Sequence, residues 1–272
     1  MIADLLPLIA KHILPESRSD LILLKSLVAQ DYAAETYCKG RTLKLINEAS
    51  LKDIMQNGIL GPIRSLDLSQ LDVDDNILLD VSTFFHEIEQ LKLTHSRALT
   101  DNGVKAFLAK HGHALKVLVL ERCYSLTDMT LHLLAIHCTS LRVLRVKGCM
   151  FSDAGLIQLC SESSFFPDTL KEINLSRCHM LTSDTIIATL LCLKKLKRLD
   201  LSSLDGITIK CLEPSLKKLP HLKVLNIRDC PEITTKDIEE IKLIRPKLKI
   251  THNAVLQDHS TEAIRLFLLA LI

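Results

Sequence analysis

The chain has 272 residues, with 34 Lys and Arg against 32 Asp and Glu, a formal net charge of +2. So near a balance gives no long-range attraction toward nucleic acid or a membrane surface. A 47% hydrophobic and 24% charged composition is that of a folded chain, not a disordered one. With only 4% aromatics and no Trp, the core must be aliphatic.

The first residues, Met1 to Ala10, are apolar but include Asp4 and lack a basic leader, and Lys11 and His12 end the run, so no secretory signal peptide is expected. Pro15 opens a segment from Glu16 to Val28 in which Leu21, Leu24 and Val28 recur at helical spacing. Leu51, Ile54 and Met55 predict a second short helix. Residues 1–62 therefore read as a helical N-terminal cap, which any stacked array needs over its first apolar edge, with Leu43-Lys44-Leu45 as a degenerate first repeat.

From Ile63 a pattern Leu-x-x-Leu-x-Leu recurs. It begins at Ile63, Ile88, Leu115, Leu141, Leu170, Leu196 and Leu222, with spacings of 25, 27, 26, 29, 26 and 26 residues, and a truncated eighth copy is expected at Leu248. Three residues past the last strand aliphatic stands Cys123, Cys149, Cys178 or Cys230; Leu71, Ser96 and Leu204 depart from this. Next comes an apolar residue and a hydroxyl, often followed by Asp, as in Leu99-Thr100-Asp101, Leu126-Thr127-Asp128 and Phe151-Ser152-Asp153. The hydroxyl suits a helix cap, and the acid suits the positive helix start. Beyond it, Val104, Phe107 and Leu108, then Leu131, Leu134 and Ala135, then Leu156, Leu159 and Cys160 hold helical spacing, whereas Leu-x-Leu is strand spacing.

Each unit is thus a short strand, a turn and a helix, and buries its apolar face only by stacking on its neighbours. The expected fold is α/β: a leucine-rich-repeat solenoid, or horseshoe, with parallel strands on the concave face and helices on the convex face. Its domains are the cap at 1–62, about seven repeats plus a truncated one at 63–250, and a C-terminal capping helix at 251–272 carrying Ile264, Leu266, Phe267, Leu268 and Leu271.

The combined signature, Leu-x-x-Leu-x-Leu-x-x-Cys followed by Leu-Thr-Asp-x-x-Leu, resembles the cysteine-containing leucine-rich repeat of F-box/LRR proteins and of the antagonist of mitotic exit network family. The resemblance covers about residues 63–250. It implies a non-catalytic protein-interaction module, either selecting substrates for a cullin-type ubiquitin ligase or regulating the cell cycle. Under it, Leu6-Pro7 or Leu14-Pro15 would open a degenerate F-box, and residues 1–60 would meet a ubiquitin-ligase adaptor; the aromatic residue expected near the end of such a box is missing. The alternative is a scaffold subunit of a larger complex with no ubiquitin role.

On the concave face the residues between the aliphatics line up in columns. The expected partner-binding residues are Val117, Val119 and Val143 as an apolar centre, with Glu121, Arg122, Arg145, Lys147, Arg177 and Arg228 around it. No phosphate loop, nucleophile elbow or His-Glu-x-x-His is present, and Cys178 and Cys138 are accounted for by the repeat. The expectation is therefore a protein partner, no enzyme activity, no cofactor or metal, no nucleic acid and no membrane span. Unpaired inward thiols point to the cytoplasm or nucleus.

Overall fold

A computed structural model describes residues 36–39, 42–45, 48–57, 63–161 and 164–253. Among them ten strands form one open sheet in sequence order: β1 (Thr36–Lys39), β2 (Thr42–Leu45), β3 (Ser65–Asp67), β4 (Gln90–Thr94), β5 (Val117–Glu121), β6 (Val143–Arg145), β7 (Glu172–Asn174), β8 (Arg198–Asp200), β9 (Val224–Asn226) and β10 (Lys249–Thr251). From β2 onward every pairing is parallel. Helices α1 (Glu48–Asn57), α2 (Asp75–Phe84), α3 (Asp101–His111), α4 (Asp128–His137), α5 (Asp153–Gln158), α6 (Phe166–Thr169), α7 (Ser183–Cys192), α8 (Ile209–Lys218) and α9 (Thr235–Ile244) alternate with the strands. This is the expected α/β solenoid.

The strand aliphatics do what their spacing requires. Leu66, Leu91, Leu118, Leu144, Ile173, Leu199 and Leu225 pair in one file along the sheet, each at most 2% exposed. The helix positions Val104, Phe107, Leu108, Leu131, Leu134, Ala135, Leu156 and Leu159 close the other side of the same core. Each fully buried Leu, Ile or Val contributes about 1.5–3 kcal/mol, so every unit has a strong drive to stack.

Three local features differ from the sequence expectation. In the lead, β2 lies where the degenerate first repeat was placed, with Leu43 in the register position of Leu66, but β1 adds to it an antiparallel hairpin partner that was not expected. Alternation of Leu43 and Leu45 across Lys44 is strand spacing, and an open parallel edge at β3 rewards it with a hydrogen-bonded neighbour. α1 does form where Leu51, Ile54 and Met55 place it, while Glu16–Val28 and both Leu-Pro pairs lie outside the described residues. At the far end Lys249 pairs with Val224, a step of 25, so the last strand runs one residue ahead of the expected count. Thr251, expected at the start of a helix, ends that strand, and residues 254–272 lie outside the described residues. Finally, the 29-residue spacing between Leu141 and Leu170 splits its helical part into α5 and α6. Pro167 sits at the start of α6, where it lacks no needed N–H.

The acids of the Thr-Asp signature do more than favour a helix start. Asp75 accepts from the Thr100 N–H at 2.7 Å and the Thr100 hydroxyl at 2.6 Å. Asp101 holds Thr127 in the same way, at 3.1 and 2.6 Å, and also accepts from the Thr130 hydroxyl. Asp128 takes Ser152, and Asp153 takes Thr182. In four successive repeats the cap of the helix is thus fastened to the acid that opens the first helix of the repeat before. Gly103 and Gly155 lie under this ladder: a Cβ there would come within 2.5 Å of Asp75 or 2.3 Å of Asp128.

Candidate partner-binding surface

Strands β4 to β9 each leave the sheet through a left-handed bend. His95, Arg122, Gly148, Arg177, Ser203 and Asp229, each just before the inward Cys, Ser or Leu, have φ between 55° and 66°. The bend turns the backbone so that the N–H of His95, Arg122, Gly148, Arg177 and Ser203 donates to a carbonyl of the following repeat. Asp229 has no such carbonyl; its N–H donates instead to Asn253 Oδ1 at 2.6 Å, and Asn253 Nδ2 returns a bond to the Asp229 carboxylate. The thiols behind the bend are buried and reach back across the stack, Cys149 to the Leu120 carbonyl, Cys178 to Val146 and Cys230 to Leu201. Burial raises Cys123 and Cys178 to about 11 and Cys138 to about 12, so these groups stay protonated packing atoms.

The concave columns align as the sequence places them. Gln90, Val117, Val143, Glu172, Arg198 and Val224 share one file, and Lys92, Val119, Arg145, Asn174, Asp200 and Asn226 the next. The nine residues singled out above fall into two groups along the strand direction. Val117, Val119, Val143 and Arg145 lie within β5 and β6, mid-sheet in the strand order, and Glu121 closes β5 while Arg122, Lys147, Arg177 and Arg228 lie beyond the strand ends.

The mid-sheet group is less available than its column positions imply. Val119 is only 6% exposed, standing in register between Lys92 and Arg145, whose long stems crowd a concave surface. Val117 and Val143 remain half-buried. Arg145 is tied to Glu172 through both Nε and Nη2, and Lys92 to Asp67 at 3.4 Å. The strand-end group is more available: Arg177 and Arg228 are exposed, and the half-buried Arg122 sets its guanidinium on the His95 ring, at 3.1 Å.

Beside those arginines the structure adds residues the sequence did not single out. Tyr124, Met150 and Met180 are 49%, 54% and 54% exposed and occupy the strand-to-helix turns of three consecutive repeats. Their signal was available: each stands between the inward Cys and the next buried apolar residue, Tyr124 one residue past its Cys where other repeats carry Arg97 or Pro231, Met180 two past it where they carry Ala98 or Glu232, and Met150 alone in a shorter turn. Large apolar and aromatic groups exposed beside arginines are what interface centres are enriched in.

A second feature lies at the opposite, strand-start edge. Lys116, Arg142, Lys171, Lys197 and Lys223 each follow the first aliphatic of their repeat, and the N–H of each donates to the carbonyl of the row residue before it at 2.7–2.8 Å. At the head of this row Glu89 takes Lys116 at 2.7 Å and Arg64 at 2.6 Å, and these two cations hold its carboxyl below the usual range.

Among the described residues no group of three or more His, Cys, Asp or Glu is arranged to hold a metal, and no helix is long and apolar enough to cross a membrane.

Comparison with known proteins agrees with the repeat architecture. The Leucine Rich repeat family matches residues 137–160 and 218–242. F-box/LRR-repeat protein 12 of Arabidopsis thaliana is 29% identical over 157 residues, 58% of this chain and 38% of that protein, so the chain spans well under half of this relative. Among solved structures, a chain from the yeast Rad7 and Elc1 complex aligns with 76% of this chain and 58% of its own length, at 20% identity and a TM-score of 0.49. The tropomodulin C-terminal domain of Caenorhabditis elegans aligns with 63% of this chain and 95% of its own, at 14% identity and a TM-score of 0.39. The matched segments are two of the units counted above: the chain is built of leucine-rich repeats, stacked as an α/β solenoid.

Proposed function

We propose that this solenoid is a non-catalytic recognition module that binds a protein partner across its concave side and the adjoining strand-end rim. The observation that carries the reading is the exposure of Tyr124, Met150 and Met180 on consecutive repeats, with Arg122 and Arg177 beside them. A soluble fold gains nothing from leaving such groups in water, whereas a partner that covers them gains their burial. Glu121, Lys147 and Arg228 form the polar border, and Val117 and Val143 extend the surface into the sheet.

The finer reading is substrate selection in a cullin-type ubiquitin ligase, or cell-cycle regulation of the mitotic exit antagonist kind. It is supported by the likeness to an F-box/LRR-repeat protein over 157 residues, and it assigns adaptor contact to residues 1–60. Affinity purification with mass spectrometry tests both levels. Arg145→Glu is a poor probe, since it sets two carboxylates together at Glu172; a Tyr124→Ser, Met150→Ser, Arg177→Glu variant leaves the sheet pairs intact. Loss of a defined protein set from that variant supports the rim. Retention of ligase subunits by the same variant supports the receptor role, and a partner set unchanged by it refutes the surface. Partners without ligase subunits, in fixed stoichiometry, would favour the scaffold alternative.

A further inference from the structure

The geometry points to a docking track for an acidic, extended segment of a partner protein along the strand-start edge, on Lys116, Arg142, Lys171, Lys197 and Lys223. This deepens the protein-binding reading and rests on it.

The row is fixed by backbone, not by side-chain preference. The unbroken ladder of N–H to carbonyl bonds from Lys116 to Lys223 places one cation on every rung. At roughly 4.8 Å per rung the five span about 19 Å. Like charges on neighbouring strands of one sheet edge repel and lower stability. Other cations beside the strands are neutralised at home, Arg64 by Glu87 and Glu89, Lys92 by Asp67 and Arg145 by Glu172, whereas Lys147, Arg177 and Arg228 at the far strand ends are, like most of the row, without an ion pair among the described residues. Among the described residues, Arg142, Lys171, Lys197 and Lys223 form no ion pair. Arg142, Lys197 and Lys223 are exposed, so packing does not require them.

The row also borders a shallow open groove of about 360 Å³, in which Lys116, Arg142, Lys171 and Lys197 surround Val117 and Val143. That mixture selects the occupant. No aromatic ring lines the groove to stack a base, and Glu172 stands within it, which disfavours a phosphodiester backbone. A strand-like peptide with an acid at alternate positions presents carboxylates roughly 6.6 Å apart on one side. Flexible lysine stems absorb the mismatch with the rungs, so about six residues cover the row. Its intervening apolar side chains suit Val117 and Val143.

The test is fluorescence anisotropy on the full chain, with a labelled octapeptide of alternating Glu and Val, its Gln-Val counterpart, and an oligothymidylate of similar length. The expected result is binding of the Glu-Val peptide at least about tenfold tighter than of the Gln-Val peptide, weakening between about 50 and 200 mM salt. Lys171→Glu with Lys197→Glu should weaken it by about tenfold or more, and Lys171→Gln with Lys197→Gln by an intermediate factor. Lys236→Glu with Lys242→Glu, on exposed positions of α9 and with the same charge change, should leave it within about twofold. Thermal melts confirm folding, and if the Glu variant unfolds the Gln variant decides. No binding, equal loss in the α9 control, or tighter oligothymidylate binding that the row variant abolishes would each overturn the proposal. A partner set lost on changing the rim but kept by the row variant would sink the track alone and leave the recognition surface standing.

Discussion

Removing the Asp101 carboxylate by Asp101→Ala tests whether the acid ladder, and not only apolar stacking, holds neighbouring repeats together. Asp101 accepts from the N–H and hydroxyl of Thr127 and from the Thr130 hydroxyl. Thr127 is exposed, so water takes over its two bonds and their loss costs about 0.5–1 kcal/mol each. Thr130 is 0% exposed, and its orphaned hydroxyl costs a further ~1–3 kcal/mol. The sum is about 2–5 kcal/mol, with a few tenths more for the lost charge at the α3 start. For a chain of this size that lowers Tm by roughly 4–15 °C. Urea unfolding followed by circular dichroism gives the stability change, and hydrogen exchange should place it at α3 and α4, because stacked repeats can open unit by unit. Thr130→Val removes the orphan, so the double variant should recover about 1–2 kcal/mol relative to additivity. A single variant melting within about 1 °C of the parent, or strictly additive effects, would refute the reasoning.

Four further outcomes follow from the same contacts. Arg245 donates to the Leu216, Leu219, Pro220 and Leu222 carbonyls at 2.6–3.2 Å, closing the end of α8, so Arg245→Ala should cost about 1.5–3 kcal/mol by urea titration. Arg245→Lys should recover less than half, because one ammonium cannot span four acceptors. Ser203 has a φ of 55°, so Ser203→Gly should raise stability by about 1 kcal/mol, while Gly148→Ala, at 66°, should lower it by a similar amount in thermal melts. Burial holds the His111 imidazole below its ordinary value against a favourable Ser82 carbonyl, with Lys110 and His113 adding to the drop. The unfolded chain therefore takes a proton near pH ~6.5 that the folded chain refuses. Stability should fall as pH drops through that value and level off at the lower folded pKa, and His111→Gln should flatten this slope in urea midpoints. Cys123, Cys138 and Cys178 should resist Ellman's reagent at about pH 8 until urea unfolds the chain, since thiols raised to about 11 or 12 carry almost no thiolate there.

The repeat was legible because one physical rule acts on every copy. An aliphatic at each strand position is the only way to fill a core that neighbours share, so Leu118 or Leu225 is placed by counting alone. The bends were partly legible: Gly148 announces a left-handed residue, but Arg122, Arg177, Ser203 and Asp229 adopt the same φ with no glycine, because the inter-repeat hydrogen bond compensates the strain. The hairpin of β1 was not legible. Thr36-Tyr37-Cys38-Lys39 carries no repeat signal, and only the unpaired edge of β2 gives it a partner. Likewise Asp101 and Asp128 announce a helix start in sequence, yet their carboxylates are spent on the next repeat, a contact 26 or 24 residues away that local pattern does not encode.

The candidate surface shows where counting fails for a different reason. Column positions told correctly which residues share a file, but exposure depends on what the neighbours in that file reach over. Val119 lies in the predicted patch and is covered, and Arg145 lies in the predicted rim and is neutralised by Glu172. The cation row was missed by a step of one residue. Strict alternation runs outward from the middle aliphatic, Leu118 for example, and assigns Val117 and Val119 to the concave side. Between Leu115 and Leu118 there are two residues, not one, so alternation says nothing about Lys116. Only the hydrogen-bond ladder, in which Lys116, Arg142, Lys171, Lys197 and Lys223 follow one another rung by rung, turns five scattered charges into a line. A surface built from a repeat is therefore best sought where the periodic rule leaves a residue free, since there the sequence can change without cost to the core.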